Sequence, residues 1–291
     1  MTVTHVLLGG IFVSRVSIVV DSSASLPAYV AAQYGINVIP ITIQRGNETY
    51  RDGIDLGYEQ FYEMLEQQAP LKTSQPSPGE FIQMYRSLAK ECESIISIHV
   101  TSKASGTVQA ANLARAACDD LDIEVVDSET TSMSLGFLAI VAATAARLGK
   151  HKREILQAVE EAKKRIDVFV ALPGLSQLRR SGKIGLGQSL IGSLLSVKPI
   201  LTMRDGMLTV CERVRTYPKA RERVADLICE AAGRGSVRLA VVYSKTLDEA
   251  QRLAEMLQLR LKVSEVIMAE IGAALAVHGG PGMIGAAIMR E

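Results

Sequence analysis

Short apolar segments alternate with amphipathic helical segments along the first half of the chain. The first apolar run, Val16-Ser17-Ile18-Val19-Val20, predicts a strand, and the capping-type residues that follow lead into a helical pattern at residues 27–34. Further strands are predicted at residues 37–44, 48–51, 94–100 and 124–127, and further helices at residues 58–67, 78–90, 107–118 and 132–148. Strands that alternate with helices predict a mainly parallel sheet covered on both faces, which makes a three-layer α/β domain.

The pattern changes after a charged helical segment at residues 151–165. Strands are predicted at residues 167–172, 198–203, 207–214, 237–244, 263–268 and 284–289, and helices at residues 184–195, 217–232 and 247–257. Two of these strands flank Arg204-Asp205-Gly206, and an Asp-Gly turn between strands predicts a hairpin. We therefore expect two domains: an N-terminal α/β domain at residues 16–165, and a C-terminal α/β domain at residues 166–291 with a mixed or largely antiparallel sheet.

Two hydroxyl-rich segments, each predicted to lie at the entrance to a helix, are candidates for a binding site. One is Thr73-Ser74-Gln75-Pro76-Ser77 and the other runs from Ser102 to Thr107, including Ser105 and Gly106. Ligands of open parallel sheets bind beyond the carboxyl ends of the strands, where helix N-termini expose N–H groups and glycine lets a ligand approach the backbone. The alternative is that these residues only cap helices, as Ser77 with Glu80 is expected to do. The sequence leaves both interpretations open.

Two further segments carry groups that suit an anion. His278 precedes Gly279-Gly280-Pro281-Gly282, where an irregular loop is expected, and a histidine there can contact an anion or act as an acid or base. A surface histidine beside a turn is the alternative. Arg179, Arg180 and Lys183 surround a Ser-Gly pair and suggest an anion site or a docking loop for an acidic partner, against the alternative of a solvated loop.

Composition and missing motifs exclude several classes of function. Hydrophobic residues make up 48% and charged residues 22% of the 291 residues, which permits a large core, and a net charge of +1 argues against nucleic-acid binding. The four cysteines form no CxxC pair and suggest reduced thiols in a cytoplasmic protein. The apolar run at residues 6–13 is too short for a membrane anchor and lacks the features of a signal peptide, so a tail outside the fold is expected. No metal-site, P-loop or GxSxG motif occurs, and no GxGxxG follows a predicted strand, so we expect neither a metal nor a cofactor.

Taken together, a set of short motifs in this order and spacing resembles the DegV family, over about residues 16–290. The motifs are Ile18-Val19-Val20-Asp21-Ser22-Ser23, Val38-Ile39-Pro40-Ile41, Tyr50-Arg51-Asp52-Gly53, Thr73-Ser74-Gln75-Pro76-Ser77, Ser105-Gly106-Thr107, Leu178-Arg179-Arg180-Ser181-Gly182-Lys183-Ile184, Lys198-Pro199-Ile200 and His278-Gly279-Gly280-Pro281-Gly282. Lys183 and Val108 depart from the family pattern, where arginine and an aromatic residue are common.

The resemblance implies a bacterial fatty-acid-binding protein that serves as the carrier subunit of fatty acid kinase. A long-chain fatty acid would lie between two α/β domains, with its carboxylate held by Thr73, Ser105, Gly106 and His278 and supported by Ser74 and Thr107. A separate kinase subunit would phosphorylate that carboxylate for phospholipid metabolism, docking at Arg179, Arg180 and Lys183. The chain itself would then be no enzyme, with fatty acid as its ligand and neither a cofactor nor a catalytic residue of its own.

Two other functions remain open at this point. One is a stand-alone phosphoryl- or acyl-transfer enzyme that uses Ser105 or His278. The other is a lipid-responsive regulatory protein with no catalytic partner.

Overall fold

The computed structural model describes residues 15–67, 70–174, 178 and 197–291. In the first half of the chain, four strands form a parallel sheet with the order β2-β1-β6-β7. These strands are β1 Val16–Asp21, β2 Ile36–Ile39, β6 Ser94–His99 and β7 Ile123–Asp127. Adjacent residues of β1 point to opposite faces of the sheet and enter different apolar clusters, with Ile18 and Val20 on one face and Val19 on the other. Both faces are therefore buried, as the sequence predicts.

Helices cover the two faces of this sheet. The described helices of this half are α1 Ala28–Tyr34, α2 Tyr58–Glu66, α3 Pro78–Leu88, α4 Thr107–Ala117, α5 Ser132–Arg147 and α6 Lys152–Lys163. The start of α3 confirms the predicted capping box, because the Ser77 side chain accepts from the backbone N–H of Glu80 while the Glu80 carboxylate accepts from the backbone N–H of Ser77. Phe81 and Tyr85 of α3 pack with α4 on one face, and α5 covers the other.

A small antiparallel sheet corrects one of the sequence predictions. It has the order β4-β3-β5, with β3 Thr42–Arg45, β4 Glu48–Arg51 and β5 Leu71–Ser74. The single strand predicted at residues 37–44 is wrong: the segment forms β2 and β3 in two different sheets. The break falls at Pro40, which has no N–H to continue a ladder of hydrogen bonds.

Six strands form a mixed sheet in the second half of the chain, with the order β10-β9-β8-β13-β11-β12. They are β8 Ile166–Ala171, β9 Lys198–Arg204, β10 Met207–Val214, β11 Ser236–Tyr243, β12 Lys262–Glu270 and β13 Ile284–Arg290. Only the β11–β12 pair is parallel, so the prediction of a mixed, largely antiparallel sheet is confirmed. The predicted hairpin is also present: Asp205 and Gly206 both have positive φ, which suits a tight turn between strands.

Helix α5 lies between the two large sheets. The outer face of the mixed sheet is covered by α7 Tyr217–Ala232 and α8 Leu247–Arg260, and a short α9 spans Ala273–Gly279. Residues of α5 such as Leu135 and Phe137 are fully buried in a core that also contains Val168 of β8 and Ala287 of β13. The core thus crosses the predicted domain boundary at Arg165, and that boundary stays a prediction. The predicted helix at residues 184–195 lies outside the described residues.

Candidate functional site

The topology of the parallel sheet marks one edge as the place for a ligand. From β1 the chain crosses to β2 on one side, and from β6 it crosses to β7 on the other side. The carboxyl ends of β1 and β6 therefore flank a switch point, where a crevice opens in sheets of this kind. A cavity of about 200 Å³ lies there, lined by Ser23 after β1 and by Thr101 and Ser105 after β6.

One part of the cavity wall is rich in hydroxyl groups. The polar residues that line the cavity are Ser23, Thr73, Ser74, Gln75, Thr101, Ser105, Thr131, Ser132, Thr202 and His278, and all except Thr202 of β9 and His278 come from the first half of the chain. Among the described lining residues none carries a permanent charge, and His278 is the one imidazole. This end of the cavity can therefore offer many neutral hydrogen bonds to a ligand.

Thr73 and His278 meet across the cavity although they lie more than two hundred positions apart. Thr73 Oγ1 lies 3.0 Å from His278 Nε2, and both side chains are half-buried. Thr73 and Ser74 belong to the segment predicted at the entrance to a helix, and that helix begins at Pro78; the structure adds that they end strand β5, which pairs with β3. His278 lies in the last turn of α9. The structure thus brings together two residues that the sequence names as candidates.

Ser105, Gly106 and Thr107 form the second hydroxyl-rich segment. Ser105 Oγ lies 2.8 Å from Thr107 Oγ1, and Thr107, which is fully buried, supports Ser105 from outside the cavity lining. A Cβ atom on Gly106 would lie 3.1 Å from Nε2 of Gln75. The absence of a side chain at Gly106 therefore lets the two hydroxyl-rich segments approach each other closely.

The opposite wall of the cavity is apolar and comes mainly from the mixed sheet. Val170 of β8 pairs with Leu201 of β9, and Met203 of β9 pairs with Leu208 of β10, so these side chains share one face of that sheet. Further apolar lining is provided by Val168, Leu172, Leu178, Ile271, Leu275 and Met283. A ligand with one polar end and a long apolar body matches a cavity built in this way.

A second, more polar cavity of about 220 Å³ adjoins the first. Val168, Thr202 and Met203 contribute to the walls of both cavities, so they separate the two. Ser134 of α5 lines the second cavity and is absent from the lining of the first.

A buried carboxylate and histidine lie at the base of the crevice. Asp21 ends β1 and His99 ends β6, and His99 Nδ1 lies 3.1 Å from Asp21 Oδ2 with both side chains fully buried. Burial raises the pKa of Asp21, but hydrogen bonds from His99, Ser23 and Val100 outweigh it and hold that pKa below its ordinary value. The hydroxyl of Ser23, which lines the cavity, also donates to Asp21.

Sequence reasoning missed several residues of this site. A signal was present for Asp21 and His99, because each is a polar residue at the end of a strongly apolar strand. Thr131 and Ser132, which also line the cavity, were treated only as the start of a predicted helix. Arg179, Arg180 and Lys183 lie outside the described residues.

Among the residues that the structure does describe, no group of three or more His, Cys, Asp or Glu side chains is placed to hold a metal ion, and no helix is long and apolar enough to cross a membrane.

Comparison with known proteins identifies this architecture of two large sheets with a mostly apolar cavity between them. A family model described as "Uncharacterised protein, DegV family" matches residues 15–291. Protein DegV of Bacillus subtilis is 34% identical over 274 residues, which cover 93% of this chain and 98% of the relative. The chain belongs to the DegV family, which confirms the resemblance seen in its motifs.

Two solved structures show the same fold. A DegV family protein from Thermus thermophilus, named for its fatty acid binding, has a TM-score of 0.89 and 31% identity, and the match covers 95% of this chain and 100% of that one. DegV from Bacillus subtilis, named as a fatty acid binding protein, has a TM-score of 0.87 and 32% identity, and the match covers 96% and 100% of the two chains.

Proposed function

We propose that this protein binds a long-chain fatty acid in the cavity between its two large sheets. The observation that carries the proposal is the division of the cavity into an apolar wall and an end lined by neutral hydroxyl groups and His278. The DegV proteins of Thermus thermophilus and Bacillus subtilis described above are named for fatty acid binding, which supports the same ligand class.

The energetics favour an acid with a long chain. Burial of ~14 methylene groups at ~0.8 kcal/mol each gives roughly 11 kcal/mol of gross driving force. That gain is opposed by the cost of removing a carboxylate from water, which is tolerable only where hydrogen-bond donors replace its hydration. The hydroxyl-rich end of the cavity offers such donors, so the carboxylate belongs there and the chain belongs along the mixed sheet.

Thr73, Ser105 and His278 are the groups that we assign to the carboxylate. Thr73 and His278 already share a hydrogen bond, and when His278 Nε2 is the donor the hydroxyl of Thr73 accepts it and can turn its own proton toward a ligand oxygen. Thr107 orients Ser105 through a hydrogen bond. Because Gly106 has no side chain, it can lie against Gln75, which follows Thr73 and Ser74 in the chain. Neutral donors hold a carboxylate without the firm grip of a salt bridge, which suits an oxygen that must later react.

We further propose that the bound acid is the substrate of a separate, cytoplasmic, ATP-dependent kinase. In that reaction a carboxylate oxygen attacks the γ-phosphorus of ATP and the bond from that phosphorus to the bridging oxygen breaks, so the products are an acyl phosphate and ADP. Catalysis would reside in the kinase, and the acyl phosphate would enter phospholipid metabolism. Arg179, Arg180 and Lys183 are the proposed docking residues for the kinase.

Denaturing extraction of the purified protein followed by mass spectrometry tests the first step. We expect a co-purified fatty acid, and its mass also gives the chain length. A protein that is empty, binds no added fatty acid and hydrolyses acyl esters or phosphate esters would refute the proposal in favour of a transfer enzyme.

Incubation of the loaded protein with a candidate kinase and ATP tests the second step. Formation of acyl phosphate supports the carrier function, while retention of lipid without phosphorylation by any such kinase points to a regulatory protein. Arg180→Ala should leave lipid binding intact and reduce turnover with the kinase. Loss of lipid from this variant would instead assign Arg180 to the binding pocket.

A further inference from the structure

We propose that the N-terminus of α5, together with the hydroxyl of Ser132, binds one oxygen of the carboxylate and selects an ionised acid over a neutral lipid. The inference rests on the proposed binding of fatty acid and adds a part of the site that the family motifs do not include. It assigns to the protein a specificity for charge in a cavity whose described lining has no permanently charged side chain.

Ser132 is buried and lacks a protein partner for its side chain. It is 5% exposed, it lines the cavity, and its Oγ has no hydrogen-bond partner among the described residues. An unpaired hydroxyl in a buried site is unfavourable unless a ligand supplies the partner. The backbone of Ser132 is also held at a φ of 54°, a conformation that residues other than glycine rarely adopt and that is often found at functional sites.

The helix that begins at Ser132 adds backbone donors at the same point. The first N–H groups of an α-helix have no partner within the helix, and the N-cap residue Thr131 provides none from its side chain. Since α5 extends over 16 residues, its N-terminus carries the partial positive charge of a full helix dipole. Hydroxyl, backbone N–H groups and dipole therefore all favour a negatively charged oxygen at this place.

The charged side chains near the crevice offer no positive partner to an anion. Asp21 and Asp52 are both buried there, and neither can serve as a partner for an anion. Hydrogen bonds from His99, Ser23 and Val100 satisfy Asp21, and the N–H of Ala273 donates to Asp52 at 3.0 Å. Apart from the His278 imidazole, the described lining contributes no basic side chain, so positive potential in the described part of the cavity comes from the N-termini of helices such as α4 and α5.

Measured affinities for an acid and a neutral analogue test the inference directly. The probes are hexadecanoate and hexadecan-1-ol, which differ in the head group, and the readout is displacement of a fluorescent acyl probe from delipidated protein. Ser132→Gly removes the hydroxyl and suits the positive φ, while Ser132→Ala removes the same hydroxyl without added backbone freedom. Ser134→Ala is the matched control, because Ser134 Oγ is also buried and unpaired on α5 but lines the second cavity.

We expect both Ser132 variants to bind hexadecanoate about tenfold more weakly, which is the size of one lost hydrogen bond to a charged group. Their affinity for hexadecan-1-ol should stay within about twofold of the wild type, a difference too small for a lost hydrogen bond, and the control should change neither affinity. Equal losses for acid and alcohol, or no loss for the acid, would overturn the inference while leaving the proposed function intact. A wild-type protein that binds neither probe would refute the proposed function itself.

Discussion

Replacement of Asp21 by asparagine tests the buried network beneath the crevice. Asp21 Oδ1 accepts from the backbone N–H and the hydroxyl of Ser23, while Oδ2 accepts from Val100 N at 2.9 Å and from His99 Nδ1 at 3.1 Å. An asparagine keeps the shape but replaces one acceptor oxygen with an NH₂ group. Whichever way the amide is turned, its NH₂ faces a backbone N–H, that of Ser23 or that of Val100. At least one buried hydrogen bond from a backbone N–H is therefore lost, and that N–H then faces the NH₂ group, which is another donor.

The expected cost follows from the complete burial of the network. A substitution that leaves a buried donor without its acceptor typically lowers the free energy of unfolding by about 1–3 kcal/mol. The effect should depend on pH. The pKa of Asp21 is lowered in the folded protein, so its contribution to stability is fully present above the ordinary aspartate pKa and is lost as pH falls through the folded value. The gap between wild type and Asp21→Asn should therefore be largest at neutral pH and narrow below about pH 4.

Urea unfolding followed by circular dichroism measures both effects, at neutral pH and at acidic pH. Asp120→Asn is the control, because Asp120 is exposed on the surface and pairs with Arg86 at 3.1 Å. We expect the control to change the midpoint very little. If Asp21→Asn shifts the midpoint no more than the control does, or if the gap widens as the solution becomes acidic, then the account of Asp21 as a buried, ionised hydrogen-bond acceptor is wrong.

The other predictions concern the ligand and the packing of the mixed sheet. Thr73→Val and Ser105→Ala should each weaken fatty acid binding about tenfold or more, as measured by the amount of lipid retained after delipidation and reloading; normal retention by both variants would show that the carboxylate site is elsewhere. Gly285→Ala should destabilise the fold by about 1–3 kcal/mol in thermal unfolding, since a Cβ there would lie 2.4 Å from the backbone oxygen of Phe169. Gly57→Ala is its control, with no atom within 4 Å of the added Cβ, and a similar loss in both variants would contradict this explanation.

Local sequence patterns predict much of the fold, because many of its elements depend on residues that are neighbours in the chain. Alternation of strands and helices was enough to predict the parallel sheet of the first half, and Asp205-Gly206 was enough to predict the β9–β10 hairpin. The capping box of Ser77 and Glu80 was predicted in the same way and is present. The hairpin and the capping box are each determined within a few residues of chain.

The errors concern contacts between distant segments. Strand β5 forms because Ile43 pairs with Thr73 and Thr42 with Ser74, and four residues with little apolar character give no local sign of that pairing. The role that we propose for Ser132 has no local signal for a related reason. A hydroxyl residue before a helix usually serves as a cap, and only the surrounding cavity shows that this side chain lacks a partner.

Helix α5 has a consequence for how the chain folds. Its buried side chains pack against the parallel sheet on one side and against β8, β11 and β13 of the mixed sheet on the other. A fragment that ends before β8 would expose one flank of α5 to water, and a fragment that begins at β8 would leave the inner face of its sheet bare. We therefore expect the two halves to melt together as one cooperative unit, and neither half to be recoverable as an independently folding piece.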